Sequence, residues 1–296
     1  MLKSIFVIVS FFIISGFSFF EKPIVITVPF SVGGPTDIIA RRVELAIEKY
    51  SDLKIVVINQ GGASGNIGLK EFNKKSNGLL FTTENIFTNK KYLNDSYPHG
   101  LTDNILPIYF FGKLPNIIYA NYKIKDFQHL IFESEHRDII IGSAAPGSGS
   151  FETYYQLCQN KNVLKKCRLV VYKSAGEAAL DLMAGRLDMY SSLYPAYNTF
   201  AGLGTVNPIV VLSKNRLTSL PTVPSIFEFG FEIENISWHA LFEKGIDTQT
   251  RVKIKNALDI YFTLELKRDL GYETIESDFQ KFWIEQKNYY ENIYGK

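Results

Sequence analysis

The sequence predicts an α/β fold, on three observations. Short runs rich in Val and Ile alternate with segments of helical periodicity along most of the chain, the pattern of sheets covered by helices. The junctions between them carry Gly, Pro, Ser and Thr, the residues of tight strand-to-helix turns. A length of 296 residues, 46% hydrophobic and 21% charged, supplies core for two domains and excludes disordered or collagen-like chains. No fixed-period repeat of the solenoid type is present.

Residues 24–28 form a β-branched run that reads as a buried strand. Gly33-Gly34-Pro35 breaks it, and Ile39, Val43, Ala46, Ile47 and Tyr50 then mark one face of a helix opened by Thr36. A second strand over 54–58 leads into the loop Asn59-Gln60-Gly61-Gly62-Ala63-Ser64-Gly65, a helix over 67–74 and a strand over 79–83. Strands over 116–120 and 138–141 follow, and the glycine-rich stretch 142–149 opens a helix over 151–159. The strand over 169–172 passes into a helix that Ser174 and Glu177 cap in the Ser-x-x-Glu pattern and Gly185 ends. Strands at 188–190 and 208–212 and helices over 248–261 and 277–290 complete the order.

The first residues read as an address. Lys3 precedes an apolar stretch over 5–14 broken only by Ser10, and Gly16 and Ser18 offer small residues for cleavage after Ser18. A signal peptide over 1–18 is therefore expected. An uncleaved anchor is the alternative, but a spanning helix wants ~20 strongly apolar residues, and residues 4–20 carry four serines and a glycine. No Cys follows the apolar stretch, which argues against a lipid anchor. Lys plus Arg total 32 against 30 for Asp plus Glu, a net charge of +2 without a basic run, so nucleic-acid binding is disfavoured. Cys158 and Cys167 fit no redox or zinc spacing, and in an oxidising compartment a structural bridge is favoured over a catalytic pair.

Three turns share one design: small residues stand directly between a strand and a helix at 33–36, 142–148 and 173–176. A helix N-terminus has unpaired N–H groups and the positive end of its dipole, and this edge of an α/β sheet is where ligands bind. Any one such turn is explained as well by turn and capping chemistry alone. Three in one chain lean toward an anion site.

Val28-Pro29-Phe30-Ser31-Val32-Gly33-Gly34-Pro35-Thr36-Asp37, then Ala40-Arg41, resembles the opening motif of the Bug (tripartite tricarboxylate transporter) substrate-binding proteins. The loop 59–68, the Gly142-Ser143 to Gly147-Ser148 stretch and Tyr172-Lys173-Ser174 are similar to that family's later motifs. Asp181-Leu182-Met183-Ala184-Gly185-Arg186-Leu187-Asp188, the segment 220–225 and Trp238-His239-Ala240-Leu241-Phe242 follow in the family order. The resemblance implies a periplasmic-binding-protein type II fold: two α/β lobes, 19–120 plus 214–296 and 121–213, joined by crossover segments around a ligand cleft. It implies a periplasmic, monomeric solute-binding protein that holds a small di- or tricarboxylate, or a related organic acid, by backbone amides of its βα loops. Integral membrane transporter subunits would be its partners.

The expected ligand-binding residues are Gly33, Gly34, Pro35, Thr36 and Asp37 in the first turn, Thr83 after the third strand, Ser143, Ala144, Gly147 and Ser148 in the third loop, and Ser191 and Ser192. The chain departs from the family at Phe151, where a His is common, at Ser191-Ser192, where an Asp is common, and at Gln60 and Ser64. Ser192 cannot neutralise an ammonium, so the expected ligand is a carboxylic acid lacking an amino group.

No catalytic residue, metal or cofactor is expected. His99, His129, His136 and His239 have no metal spacing, and no dinucleotide, Walker or Gly-x-Ser-x-Gly motif occurs. The aromatics Phe279, Phe282, Trp283, Tyr289 and Tyr290 read as a packed helix face. Two other functions compete: a ligand sensor presenting its closed form to a membrane receptor, and an exported α/β enzyme. The enzyme would need an acid–base or nucleophile pair that these loops, mostly Gly, Ser, Thr and Ala, do not offer.

Overall fold

The computed structural model describes residues 22–87, 105–160, 163–196, 204–272 and 279–294. The expected signal peptide and His99 lie outside the described residues.

The chain begins with β1 (Ile24–Val28), whose last three residues are buried. Pro35 then starts α1 (Pro35–Tyr50), where the fixed φ of proline suits the first helical position, and its apolar stripe packs inward. β2 (Ile55–Asn59), α2 (Asn66–Lys74) and the fully buried β3 (Gly78–Thr82) complete the first set. β4 (Leu106–Asn121) is long, and α3 (Phe127–His136) follows, capped by Asp126. β5 (Ile139–Ser143), α4 (Gly149–Tyr154), β6 (Cys167–Val171), α5 (Ala175–Met183), β7 (Met189–Leu193) and β8 (Val206–Val211) make the second set. β9 (Ile236–Lys244), α6 (Thr248–Tyr261), α7 (Leu264–Asp269) and α8 (Phe279–Tyr294) end it.

The strands form one curled sheet in the order β2-β1-β3-β9-β4-β7-β5-β6, with β8 beside β4. β1 runs parallel to β2 and β3, and β5 parallel to β6 and β7. The two parallel groups are joined through the antiparallel strands β9 and β4. β4 belongs to both halves: its residues 106–115 pair with β9, and 116–121 pair with β7 and β8.

The cores divide in the same way. Ile26, Ile39, Phe81, Phe111, Leu241 and Leu258 belong to one apolar cluster, and Leu69, Trp238, Phe242 and Phe282 to a second beside it. In the other half, Ile118, Phe127, Ile141, Met189, Ile226 and Ile233 pack together, and Tyr119, Leu182, Leu217 and Val223 form the cluster on the opposite face. Residues 217–233 thus bury their apolar side chains against the strands of the second half. The chain returns at Asn235, which lies against the point where β4 crosses. Asn116 N donates to Asn235 O at 2.8 Å, and the two side chains are hydrogen-bonded at 3.1 Å.

Some elements differ from the sequence expectation. β9 is buried at every position from 237 to 243, so it shows no alternation to betray a strand. The first half of β4 contains Pro107, Gly112 and Pro115, which read as breakers, yet the ladder absorbs the first two where its register shifts and carries Pro115 opposite Ile236 at the end of β9. The helix expected over 151–159 is α4 followed by a wider π turn, Tyr155–Asn160. Cys158 in that turn is bonded to Cys167 at the start of β6, with Cα atoms 6.4 Å apart. At α5, Ser174 Oγ accepts from Glu177 N as a cap should, but Glu177 accepts from Lys173 N rather than Ser174 N. The complete capping box is at Ser225 and Glu228.

Candidate functional site

The C-terminal ends of the parallel strands in both halves meet around a cleft of about 470 Å³. It adjoins a recess of about 120 Å³ near the crossing strands, and Phe30, Thr36, Asn85 and Ser148 border both spaces. Three helix starts contribute. In α1 the first intrahelical donor is Ile38 N, to Gly34 O at 3.0 Å, and Pro35 has no N–H, which leaves the amides of Thr36 and Asp37 at the helix end. In α4 the Phe151 and Glu152 amides are taken by Ser148 Oγ and O, leaving those of Gly149 and Ser150. In α5, Ser174 takes the amides of Glu177 and Ala178, leaving Ala175 and Gly176. The ends of α1 and α5 face one another closely: a Cβ on Gly34 would stand 3.9 Å from the Ala175 Cβ.

The loop before α2 closes one side. Gly62, Ala63, Ser64 and Gly65 all have positive φ, an arrangement strained at the two non-glycine residues. At Gly65 (φ +89°) a Cβ would fall 2.9 Å from Pro29 O, so glycine is required there. The result brings Ser64 Oγ to donate to Pro146 O in the opposite half, across the cleft.

Of the expected site residues, Gly34, Pro35, Thr36, Thr83, Ala144, Gly147, Ser148, Ser191 and Ser192 border the cleft or its recess. Gly33 and Asp37 do not: Gly33 N donates to Asp37 Oδ2 at 2.8 Å, and Arg41 Nε to Asp37 Oδ1 at 3.2 Å, so this carboxylate closes the turn from behind. Ser143 is buried and turns its Oγ to Ala144 O. Ser191 Oγ accepts from Thr153 Oγ1 at 2.9 Å, beside the Asn116–Asn235 pair.

Thr36 Oγ1 lies 3.2 Å from His239 Nε2, and His239 Nδ1 lies 3.0 Å from Tyr272 OH. His239 is fully buried, stacked on Phe81, and burial pushes its pKa down to about 3, so the ring is neutral with one N–H. With Tyr272 donating to Nδ1, Nε2–H serves Thr36 Oγ1 and the threonine proton is left for the cleft. The opposite tautomer withdraws it.

The recess also holds Glu84, Asn85, Asn116, Tyr190 and Ser237, none of them anticipated from sequence. Glu84 Oε1 accepts from Ser237 Oγ at 2.8 Å and Oε2 from Trp238 N at 3.1 Å. Burial raises its pKa to about 6 against those two hydrogen bonds and a third from its own backbone amide. A carboxylate just past the C-terminal end of a parallel strand was a usable signal. Ser237 gave none, because β9 was not recognised. Among the described residues, no cluster of three His, Cys, Asp or Glu is placed to hold a metal, and no helix is long and apolar enough to cross a membrane.

Comparison with known proteins bears on the fold and the family. BugT of Bordetella pertussis is 26% identical over 250 residues, covering 80% of this chain and 76% of that protein. The structure of the periplasmic binding protein BugD superposes with a TM-score of 0.79 at 23% identity, covering 93% of this chain and 97% of the other. An R. palustris protein solved with adipate gives 0.78 at 23% identity, with 92% and 95% covered. Residues 39–281 match the family described as the tripartite tricarboxylate transporter family receptor, TctC, and the chain belongs to that family.

Proposed function

We propose that this protein is a periplasmic solute-binding protein that captures a small carboxylate between two lobes and delivers it to a tripartite membrane transporter. The observation that carries the proposal is the convergence of three helix starts, from both halves of the sheet, on one cleft. Their spare amides and dipole ends supply positive potential without a cluster of cations, and Lys173 is the one Lys or Arg among the described lining residues. The adipate in the R. palustris relative supports the ligand class. We place the boundary between the lobes at the Asn116–Asn235 pair, a reading supported by residues 217–233, which bury their apolar side chains against the strands of the second half. Ligand-linked closure about that pair gives the transporter a surface to recognise.

The test is a thermal-shift panel of mono-, di- and tricarboxylates on the mature chain, followed by small-angle scattering with the best ligand. Stabilisation, a smaller radius of gyration and recovery of unchanged ligand are expected. No shift with any carboxylate overturns the proposal, and a chemically altered ligand makes the protein an enzyme.

A further inference from the structure

We infer that Glu84 sets the specificity of the cleft by receiving the ammonium group of an amino carboxylate whose carboxylate lies at the helix starts. This inference rests on the carboxylate-binding function proposed above.

The side-chain charges of the cleft are unevenly placed. Its outer part is bordered by the starts of α1 and α5 and by Lys173, all favourable to an anion. Its inner recess is reached by the helix starts as well, through Thr36, Gly149 and Ser150, but its one charged side chain among the described residues is the carboxyl group of Glu84, beside the hydroxyls of Thr83, Ser191, Ser192 and Ser237 and two asparagines. Glu84 receives hydrogen bonds from the Ser237 hydroxyl and from the backbone amides of Trp238 and of Glu84 itself, and no ion pair to it exists among the described residues. A carboxylate has about four acceptor sites, so some capacity remains, and its charge has no cationic partner among those donors.

The groups around it do not supply the missing cation. Tyr190 on β7 is held protonated, its pKa pushed up to about 12 by burial. His239 on β9 is neutral. Lys113 on β4, paired in register with Trp238, holds its ammonium over the Phe282 ring. Asp37 on α1 is tied to Arg41. Lys173 borders only the outer space.

A solute with carboxylates at both ends would bring its inner charge against Glu84 in the recess. One of the two would have to take up a proton. A solute with an ammonium there completes the acceptor capacity and neutralises the group. The recess, about 120 Å³, has room for roughly four waters' share of liquid, enough for an ammonium and one or two methylenes. Ser192 has no charge to offer an ammonium, which from sequence argued against an amino group; Glu84 offers it from the end of β3.

The experiment compares 4-aminobutanoate, 5-aminopentanoate and L-aspartate with succinate and glutarate on the mature protein by calorimetry. At pH 7.5 an amino carboxylate should bind at least tenfold tighter than either dicarboxylate. Glu84→Gln should remove that preference, weakening the amino carboxylates and tightening the dicarboxylates. In the wild type, independent of any variant, amino-carboxylate affinity should rise by up to roughly tenfold between pH 5 and 7 as Glu84 ionises with a pKa of about 6. Binding at pH 6 should release protons. A dicarboxylate preferred at pH 7.5 with Glu84→Gln indifferent, or proton uptake on binding the preferred ligand, overturns the inference and leaves carboxylate binding intact. Failure of every carboxylate overturns both.

Discussion

Glu84 and His239 should make opposite contributions to the acid stability of the ligand-free protein, and Glu84→Gln should separate them. Glu84 has its pKa raised from 4.5 to about 6 in the folded state. The native protein therefore holds a proton that the unfolded chain has lost between those values, and Glu84's contribution to stability falls as pH rises through 6. The shift corresponds to ~2 kcal/mol, at about 1.4 kcal/mol per pH unit. His239 is depressed from 6.5 to about 3. Here the unfolded chain binds the extra proton, so stability is full above 6.5 and is lost as pH falls toward 3. Between pH 4.5 and 6 the two slopes have similar size and opposite sign, and the wild type should change little on their account. Glu84→Gln leaves the His239 slope exposed. The change in hydrogen bonding to Ser237 and Trp238 sets a constant offset between the proteins. The titration sets how that offset changes: the variant should gain ~2 kcal/mol on the wild type between pH 4.5 and 7, or roughly 4–8 °C in melting temperature for a chain of this size. Melting both proteins across that range, without ligand, measures it. A difference that stays constant within about 1 °C would refute the burial assigned to Glu84.

Two further substitutions test the geometry. Gly34 has ordinary extended dihedrals, and a Cβ there meets Ser31 O at 3.4 Å and Ala175 Cβ at 3.9 Å. Gly34→Val should fold with a melting temperature within ~2 °C of wild type but lose carboxylate binding by at least tenfold, because its methyls fill the gap between two helix starts; retained affinity in calorimetry counts against that site. Asp188 is buried and accepts from Arg137 Nη1 at 2.7 Å, Arg137 Nη2 at 3.0 Å and Ile140 N at 2.8 Å. Asp188→Ala should cost about 2–3 kcal/mol, below a fully buried pair because the arginine is partly exposed, and a denaturant midpoint unchanged from wild type would exclude it.

What the sequence revealed and what it hid have separate physical causes. α1, β2 and α6 were legible because each has one solvent-facing side, so composition alternates or repeats along it, and because Gly, Pro or Asp punctuates the ends; β1 was legible as a short β-branched run bounded by prolines. β9 was hidden because seven consecutive residues are buried between two neighbouring strands and the covering helices, which erases the period. The same cause divides the site. Gly34, Thr36, Gly147 and Ser148 were found because a helix start needs small and capping residues in sequence order, so the turn announces its own chemistry. Asp37 was assigned to the ligand on that order alone, whereas its carboxylate bonds Gly33 N and makes the turn. The inner recess is assembled otherwise: Glu84 follows β3, Asn116 lies in β4, Tyr190 in β7 and Ser237 in β9, each isolated in sequence and joined only by the strand order. Ser237 meets Glu84 across 153 positions because β9 inserts between β3 and β4. A reader of local motifs can therefore recognise the helix starts proposed to hold a carboxylate, since they rest on backbone turns. What accompanies the carboxylate depends on side chains that the central strands bring together, so the choice of ligand follows from the topology of β3, β4, β7 and β9.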